Sequence, residues 1–363
     1  MSFPTIRADG GTFMKSIRDV FDIDAQLQEM EARQERERAF NRRHLMDAED
    51  IRSRASSADP ARFNVISLAA WIALAERAGV EHIPVREIHR VPARIYIDAM
   101  GQNPDAQAMM DAAEEAIIAG IGADDMLRFD QVAPGEIKAA RSEGSGMGDG
   151  TFLNPQTGKR MLCIYEDRFY TTMMDHGGDD IIAFARPRME PVFIDGTFRG
   201  QEGRWPAEFR VFVESGRVVG ISNYYPQVSM CPDRFAGAAQ DAIEKAERML
   251  ETMQDLRVGV GNGRLCPDTG ALPGEDRPAW MPEPWASQDF TLDFFAVSET
   301  ATLFLEGGPA GMRAAHPCCF LQGGREVGPD FLHGAAFSLE GKIRPLSDIA
   351  AIHIAKMRDE HDA

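Results

Sequence analysis

Two short stretches of this chain carry acids and cations at a spacing that a plain core strand does not need. The first is Trp205-Pro-Ala-Glu208-Phe-Arg210-Val-Phe-Val-Glu214, then Ser215-Gly216, then Arg217 to Tyr225. Two apolar runs of strand character around a Glu-Ser-Gly turn predict a β-hairpin. On its first strand Glu208, Arg210 and Phe212 share one face, and Phe209, Val211 and Val213 share the other. An acid and a guanidinium two residues apart on one face suit a polar cleft that grips phosphates and metal. The second stretch runs Phe290-Thr-Leu-Asp293-Phe-Phe-Ala-Val, then 298–301, then Thr302-Leu-Phe-Leu-Glu306-Gly-Gly-Pro309. A four-residue loop would set Asp293 directly opposite Glu306, with their Cβ atoms about 5 Å apart. Like charges placed so repel unless a cation lies between them. Magnesium takes hard oxygen ligands from one or two carboxylates plus substrate phosphates, so a Mg²⁺ site is the economical reading. The competing one is a pair of exposed acids on an edge hairpin.

Other residues could complete such a cleft. Lys138 follows the stretch Met126-Leu-Arg128-Phe and could reach phosphates as a mobile point charge. The alternating glycines of Gly144-Ser-Gly-Met-Gly-Asp-Gly150 would let backbone N–H groups approach phosphate oxygens, or they form a flexible surface loop. Arg186-Pro-Arg188 leaves an expected strand over 180–185, as a cleft donor or as ordinary surface cations. No G-x-x-x-x-G-K-[ST] occurs, so a P-loop is not expected, and Gly259-Val-Gly-Asn-Gly263 lacks the context of a Rossmann turn. His316-Pro-Cys318-Cys319 reads as a buried segment rather than a soft-metal site. Asp175-His176 reads as a turn, and Trp280 and Trp285 as pins for a long loop. No H-x-x-x-H or H-E-x-x-H spacing is present.

Composition bounds the class. With 363 residues and 44% hydrophobic content the chain can bury a substantial core. The formal charge of −18 opposes a nucleic-acid backbone, so no nucleic-acid partner is expected. The 5 cysteines are irregularly spaced, which fits a reducing, cytoplasmic setting rather than a disulfide framework. No secretory signal is read, and the longest apolar run, Val65 to Ala75, is too short to span a bilayer, so no membrane is expected.

The elements that must position these residues divide the chain as follows. Residues 1–60 form a charged helical N-terminal extension, a solvated arm or a contact for a protein partner. Residues 61–124 form an α/β subdomain. In it Asn64 to Ala78 is a helix closed by Gly79, 93–98 (Ala-Arg-Ile-Tyr-Ile-Asp) is a strand, and Asn103-Pro104 opens a helix to about Ala119. Residues 125–205 and 206–345 form two further lobes. Their strands are expected at 125–129, 160–165, 180–185, 191–195, 208–214, 217–223, 290–297 and 301–306. Pro232 to Met253 is an amphipathic helix with the stripe Phe235, Ala239, Ile243, Ala246 and Leu250. Residues 255–289 are a long loop, and 346–363 hold a last helix and tail.

The order of these motifs resembles the ATP-grasp superfamily over about 125–320. It has a Lys after an Arg-containing strand, a strand ending in Arg-Pro, a Glu-Phe-Arg-x-Phe-Val hairpin closing on Gly-Ile-Ser-x-Tyr-Tyr, and Asp-Phe followed by Leu-Glu-Gly-Gly-Pro. It is most similar to the branch containing the eukaryotic cell-division-cycle protein that helps assemble translation initiation factor 2, and to small bacterial and phage ATP-grasp proteins. The resemblance implies an α+β fold in which two α+β lobes enclose a nucleotide cleft. It implies ATP contacts from Lys138, Arg186, Glu190, Val192, Glu208 and Arg210, with Glu190 to Val192 as a hinge beside adenine. It implies Lys138 and Arg210 as the catalytic cations, and Asp293 and Glu306 as Mg²⁺ ligands. The activity implied is ATP- and Mg²⁺-dependent ligation of a small-molecule or peptide carboxylate to an amine or thiol through an acylphosphate. The alternatives are an ATP-binding assembly factor for a protein partner with little turnover, and a structural protein with a degenerate ATP-grasp fold. Many ATP-grasp ligases carry Glu-x-Asn-Pro where this chain has Glu306-Gly307-Gly308-Pro309. The Asn, normally a further metal ligand, is replaced by Gly308.

Overall fold

A computed structural model describes residues 45–56, 61–131, 149–162, 180–198, 201–214, 216–225, 230–259, 290–309, 335–337 and 343–345, with Ala32 and Val228 as single positions. Lys138, the glycines of 144–148, Asp175-His176, the Trp280 and Trp285 loop, His316 to Cys319 and the helix expected over 346–358 lie outside them.

A large antiparallel sheet receives both signature hairpins. Its strands are β10 (Glu208–Glu214), β11 (Arg217–Asn223), β13 (Phe290–Ala296), β14 (Thr302–Pro309), β15 (Ala335–Phe337) and β16 (Ile343–Pro345), in the order β14-β13-β10-β11-β15-β16. Strict alternation on β10 sends Phe209, Val211 and Val213 into the core, each at most 2% exposed. The helix that covers this face is α5 (Pro232–Asp255). Proline starts it, and its expected stripe Phe235, Ala239, Ile243, Ala246 and Leu250 is buried throughout. Each large apolar side chain so buried contributes about 1.5–3 kcal/mol.

A smaller sheet has the order β3-β7-β4, from β3 (Arg86–Pro92), β4 (Asp125–Phe129) and β7 (Asp180–Pro187). Two helices, α3 (Ala93–Met100) and α4 (Pro104–Gly120), cover one of its faces. Asn103 caps α4, its side chain accepting from the N–H groups of Asp105 and Ala106. Leu127, Phe129, Ile181 and Ala183 join Tyr96, Ala113 and Ile117 in a separate core on that side. The strand expected over 93–98 is instead helix α3, and the strand is the preceding segment Arg86–Pro92, which pairs antiparallel with β7. The β-branched run Ile95-Tyr96-Ile97 looks extended in isolation. Packing overrides that preference, because a helix puts Ala93 and Tyr96 three apart on the buried face.

The remaining elements tie these layers together. A three-stranded parallel sheet joins β1 (Leu45–Met46), β2 (Ala61–Phe63) and β12 (Val258–Gly259), with β2 in the middle. Between its first two strands, α1 (Ala48–Ser53) opens with a reciprocal capping box from Asp47 and Asp50. Residues 45–56, within the expected extension, are thus part of the folded body, with Ile51 fully buried. Helix α2 (Leu68–Arg77) starts four residues later than its sequence pattern suggests, because Ser67 caps it and Asn64 closes a turn through Ile66 N–H. Trp71 at its centre is fully buried against Phe63, Phe290 and Phe304. Two hairpins complete the described residues: β5 (Thr151–Leu153) with β6 (Arg160–Leu162), and β8 (Phe193–Phe198) with β9 (Gln201–Pro206). No helix among the described residues is long and apolar enough to cross a membrane.

Candidate functional site

Pairing register assembles a polar row across the large sheet. Ser222 on β11 pairs with Arg210 on β10, Arg210 with Asp293 on β13, and Asp293 with Glu306 on β14. Directly paired residues share a face, so hydroxyl, guanidinium and two carboxylates lie side by side on the surface opposite α5. Asp293 does sit opposite Glu306, but not by the expected four-residue loop: Ala296 pairs with Thr302, which leaves the five residues 297–301 between the strands.

A bulge is what puts Glu306 there. The register shifts by one residue between Asp293 and Phe294: Asp293 pairs with Glu306, but Phe294 pairs with Phe304, and Leu305 is the extra residue. Continuing the Phe294–Phe304 register without that shift would pair Glu306 with Leu292, on the core side. A one-residue slip moves every following side chain to the other face, and bulges beside functional surfaces re-aim side chains in this way. The Leu305 carbonyl turns to the Arg186 Nη2, 3.5 Å away.

The smaller sheet supplies the opposing wall. Leu127 and Phe129 of β4, and Ile181 and Ala183 of β7, face the small core, so the alternate residues Arg128 and Arg186 face the other way, toward the large sheet. Arg128 pairs with Phe184 and Met126 with Arg186, which makes the two arginines diagonal neighbours. Each is at most 9% exposed. Glu306 reaches across to both: its Oε2 accepts from Arg128 Nε at 3.1 Å and lies 3.8 Å from Arg186 Nη1. Arg128 also donates to the Phe129 carbonyl. Burial next to a second guanidinium pushes Arg186 down to about 10, against the pull of Glu306.

Arg210 is held differently. Its Nε and Nη2 donate to the two Asp293 carboxylate oxygens at 2.7 and 2.6 Å, a bidentate pair, and its guanidinium stacks 4.6 Å from the Tyr224 ring centre. Burial disfavours its charge, but the Asp293 carboxylate more than compensates and holds it above the ordinary guanidinium range. Glu208 is 7% exposed, and its carbonyl accepts from Tyr224 N–H at 2.6 Å. The cations beside the opposed acids are therefore guanidinium groups: Arg210 for Asp293, and Arg128 with Arg186 for Glu306. Among the described residues no group of three or more His, Cys, Asp or Glu side chains could hold a metal ion. Asp293 and Glu306 still fit magnesium in kind, as two hard-oxygen ligands on one face beside a cationic wall.

The structure thus brings together five of the residues singled out from the sequence: Glu208, Arg210, Asp293, Glu306 and Arg186. Glu190 and Val192 lie on the connector from β7 to β8. Val192 is locked there by backbone bonds, its N–H to the Ala296 carbonyl (2.8 Å) and its carbonyl from Ala207 N–H (2.7 Å), while the Glu190 side chain is exposed. Of the glycine run only Asp149 and Gly150 are described, and both serve structure. Asp149 accepts from Thr151 and Arg160, and Gly150, at φ +90°, would drive a Cβ to 2.8 Å from the Leu127 side chain. Arg128 was missed as a site residue. Its place diagonal to Arg186 depends on the pairing of β4 with β7, which the sequence of β4 alone does not carry. Asp130 was missed too. Its Oδ1 accepts from Ser67 Oγ (3.0 Å) and Ala69 N–H (2.7 Å), so it caps α2 from the end of β4.

No protein-family model matches the chain, and no curated protein does. Among solved structures the chain is similar to Cdc123 from Schizosaccharomyces pombe, at 12% identity and a TM-score of 0.34, covering 74% of this chain and 88% of that one. It is similar to the RimK domain protein ATP-grasp from Sphaerobacter thermophilus DSM 20745, at 10% identity and a TM-score of 0.27, covering 69% and 61%. It is also similar to purK, N5-carboxyaminoimidazole ribonucleotide synthetase, in its ADP complex, at 11% identity and a TM-score of 0.29, covering 74% and 50%.

Proposed function

We propose that the cleft between the two sheets binds ATP with Mg²⁺ and activates a carboxylate for ligation to an amine or thiol. The observation that supports this best is the meeting of Arg128 and Arg186 from the small sheet with Arg210, Asp293 and Glu306 from the large one. Three buried guanidiniums converging on two carboxylates are poor stabilisers of a fold, since burying such pairs costs about as much as it returns. They suit a ligand rich in phosphate oxygens.

In this reading Arg128 and Arg186 take β- and γ-phosphate oxygens, with Lys138 as a further cation. Arg210 holds the transferring phosphoryl and the carboxylate that attacks it. Glu208 lines the floor, and Glu190 and Val192 flank the base on the connector. Asp293 and Glu306 would hold magnesium, which would supply neutralisation of phosphate charge when bound. A carboxylate oxygen of the substrate attacks the γ-phosphorus, the bond to the β–γ bridging oxygen breaks, and ADP leaves. The amine or thiol then attacks the acyl carbon of the acylphosphate, the C–O bond breaks, and inorganic phosphate leaves with one proton released. The arginines position the groups and offset the developing charge, and no protein nucleophile is needed. The substrates are small molecules or peptides bearing the carboxylate and the amine.

One observation favours a second reading, an ATP-binding factor for a protein partner with little turnover. Gly308 pairs with Thr291 on the cleft face, where a side chain would complete a third metal ligand, and it supplies none. Calorimetric titration of ATP with and without Mg²⁺, on wild type and Arg128→Met, tests nucleotide binding. Binding that needs Mg²⁺ and weakens in the variant supports the site, and no binding in either protein removes both readings. ADP release on adding carboxylate and amine mixtures then separates the ligase from the factor.

A further inference from the structure

Every cation and carboxylate described in the cleft already has an opposite charge beside it. Arg210 takes both oxygens of Asp293, and Glu306 is shared by Arg128 and Arg186. Counting Glu208, the described residues of the cleft hold three guanidiniums and three carboxylates, formally neutral among themselves. A divalent cation arriving alone would meet carboxylates already neutralised and three guanidiniums that repel it. A polyphosphate arriving alone would meet guanidiniums already neutralised and three carboxylates that repel it. If both arrive, the cation takes Asp293 and Glu306, the phosphates take Arg210, Arg128 and Arg186, and each of these five side chains keeps an opposite charge beside it.

We infer that these ion pairs are internal counterions that must be exchanged, so that the divalent cation and the polyphosphate bind as a coupled pair and each binds weakly alone. The inference rests on the nucleotide reading above. It makes the arginine–carboxylate pairs a gate against metal-free nucleotide and against free metal. Coupling of this kind is reciprocal, each ligand raising the other's affinity by the same factor, about 5- to 150-fold for typical linked sites.

The dependence of one substitution on Arg210 separates this from a simple ligand role. If Asp293 only ligated metal, Asp293→Asn would tighten metal-free nucleotide binding by lost repulsion alone, and equally in an Arg210→Met background; a counterion role makes that tightening depend on Arg210. If it is also the counterion of Arg210, the substitution frees that guanidinium. Metal-free binding should then tighten, by about tenfold for one buried opposing charge removed, while the gain from metal shrinks. The test measures a non-hydrolysable ATP analogue in excess EDTA, Mn²⁺ alone by electron paramagnetic resonance, and the two together, with the analogue's own affinity for Mn²⁺ in solution subtracted. Wild type should bind each ligand weakly alone and both tightly. Asp293→Asn should bind the metal-free analogue more tightly than wild type. Arg210→Met should bind Mn²⁺ alone more tightly than wild type and the metal-free analogue more weakly. If Asp293→Asn does not fold, Glu306→Gln, at the more exposed of the two acids, must show the same tightening. Metal-free binding that is equal or weaker in the folded acid variant, tightening by Asp293→Asn that is as large in an Arg210→Met background, or wild-type affinities that simply add, would overturn the inference while leaving nucleotide binding in place. No binding of the analogue to any protein under any condition would overturn the inference and the nucleotide reading together.

Discussion

Gly307 and Gly308 are adjacent and chemically identical, yet the structure assigns them opposite tolerance. Gly307 pairs with Leu292 and faces the core, whereas Gly308 pairs with Thr291 and faces the cleft. A Cβ on Gly307 would lie 2.4, 2.6 and 2.8 Å from three carbons of the Trp71 indole. Carbon atoms settle at about 3.5–4.0 Å, so the ring must retreat by roughly 1 Å. It has nowhere to go. Phe63, Phe290 and Phe304 surround it with ring centroids at 4.5, 5.1 and 6.4 Å, and its Nε1 donates to the Val65 carbonyl at 2.8 Å. Overpacking of this kind costs about 1–3 kcal/mol, and loosening the indole hydrogen bond about 1 kcal/mol more. Neither glycine has positive φ, so alanine's lower unfolded-state entropy returns about 0.4–1 kcal/mol at each site. Gly307→Ala should therefore destabilise the protein by about 1.5–3 kcal/mol. At Gly308 the nearest atom is Thr291 Oγ1 at 3.7 Å, an ordinary contact. Gly308→Ala should stay within about 0.5 kcal/mol of wild type or be slightly more stable. Urea unfolding with unchanged m reads both values. Trp71→Leu in the Gly307→Ala background should recover part of the loss, a non-additive pair. Equal effects at the two glycines, or a loss at Gly307 that Trp71→Leu does not relieve, would refute the reasoning.

Three further outcomes follow from the same geometry. Asp241 accepts from Lys245 Nζ (2.9 Å), Thr302 N–H (2.8 Å) and Thr302 Oγ1 (2.7 Å), and Lys245 is 4% exposed. Asp241→Ala should cost about 2–4 kcal/mol in urea unfolding, since it leaves a buried ammonium with only the Thr302 carbonyl and Glu81, 3.7 Å away, and Lys245→Met alongside it should restore part of that. Burial raises the Asp130 carboxyl above its ordinary value, so the folded protein binds its proton more readily than the unfolded chain. That group's contribution to stability therefore declines as pH climbs from the ordinary Asp value through the raised one. Asp130→Asn keeps an acceptor for Ala69 N–H and should flatten that part of the stability–pH curve; an unchanged slope would count against the assignment. Arg128→Met removes a charge-assisted donor worth about 1.5–3 kcal/mol, so nucleotide affinity should fall about 10- to 100-fold in calorimetry while α2 stays capped by Asp130.

What the sequence made legible was whatever depends on local alternation. The faces of β10 and the stripe of α5 follow from periods of two and 3.6 applied to one segment. The bulge at Leu305 was hidden by chance: the loop is one residue longer than expected, the bulge adds one residue to β14, and the two offsets cancel at Asp293. Arg128 and Asp130 were not legible because their roles depend on two sheets meeting, which no local period encodes. The misread 93–98 failed for a related reason. Its β-branched residues favour a strand locally, but β3 already occupied the sheet edge beside β7, and the helix buries Tyr96 against α4. The repulsion between Asp293 and Glu306 follows from their pairing, whereas its relief by Arg210, Arg128 and Arg186 depends on contacts across strands and sheets.

The three-stranded parallel sheet has a bearing on how the chain acquires its structure. Its middle strand β2 pairs on one side with β1 nearby and on the other with β12, beyond helix α5. Arg54 reaches the Leu256 carbonyl, 202 positions away along the chain. Loop closure on that scale must precede any reward from the contact, which slows formation. As the chain leaves the ribosome, β1 and β2 must therefore wait, apolar Phe63 included, until α5 has emerged and docked. A nascent chain arrested before residue 232 should be open to protease around 45–63, and one extended past 259 should be closed there. The edge of β2 in that interval is the point at which a chaperone, or a second nascent copy, would have its opportunity.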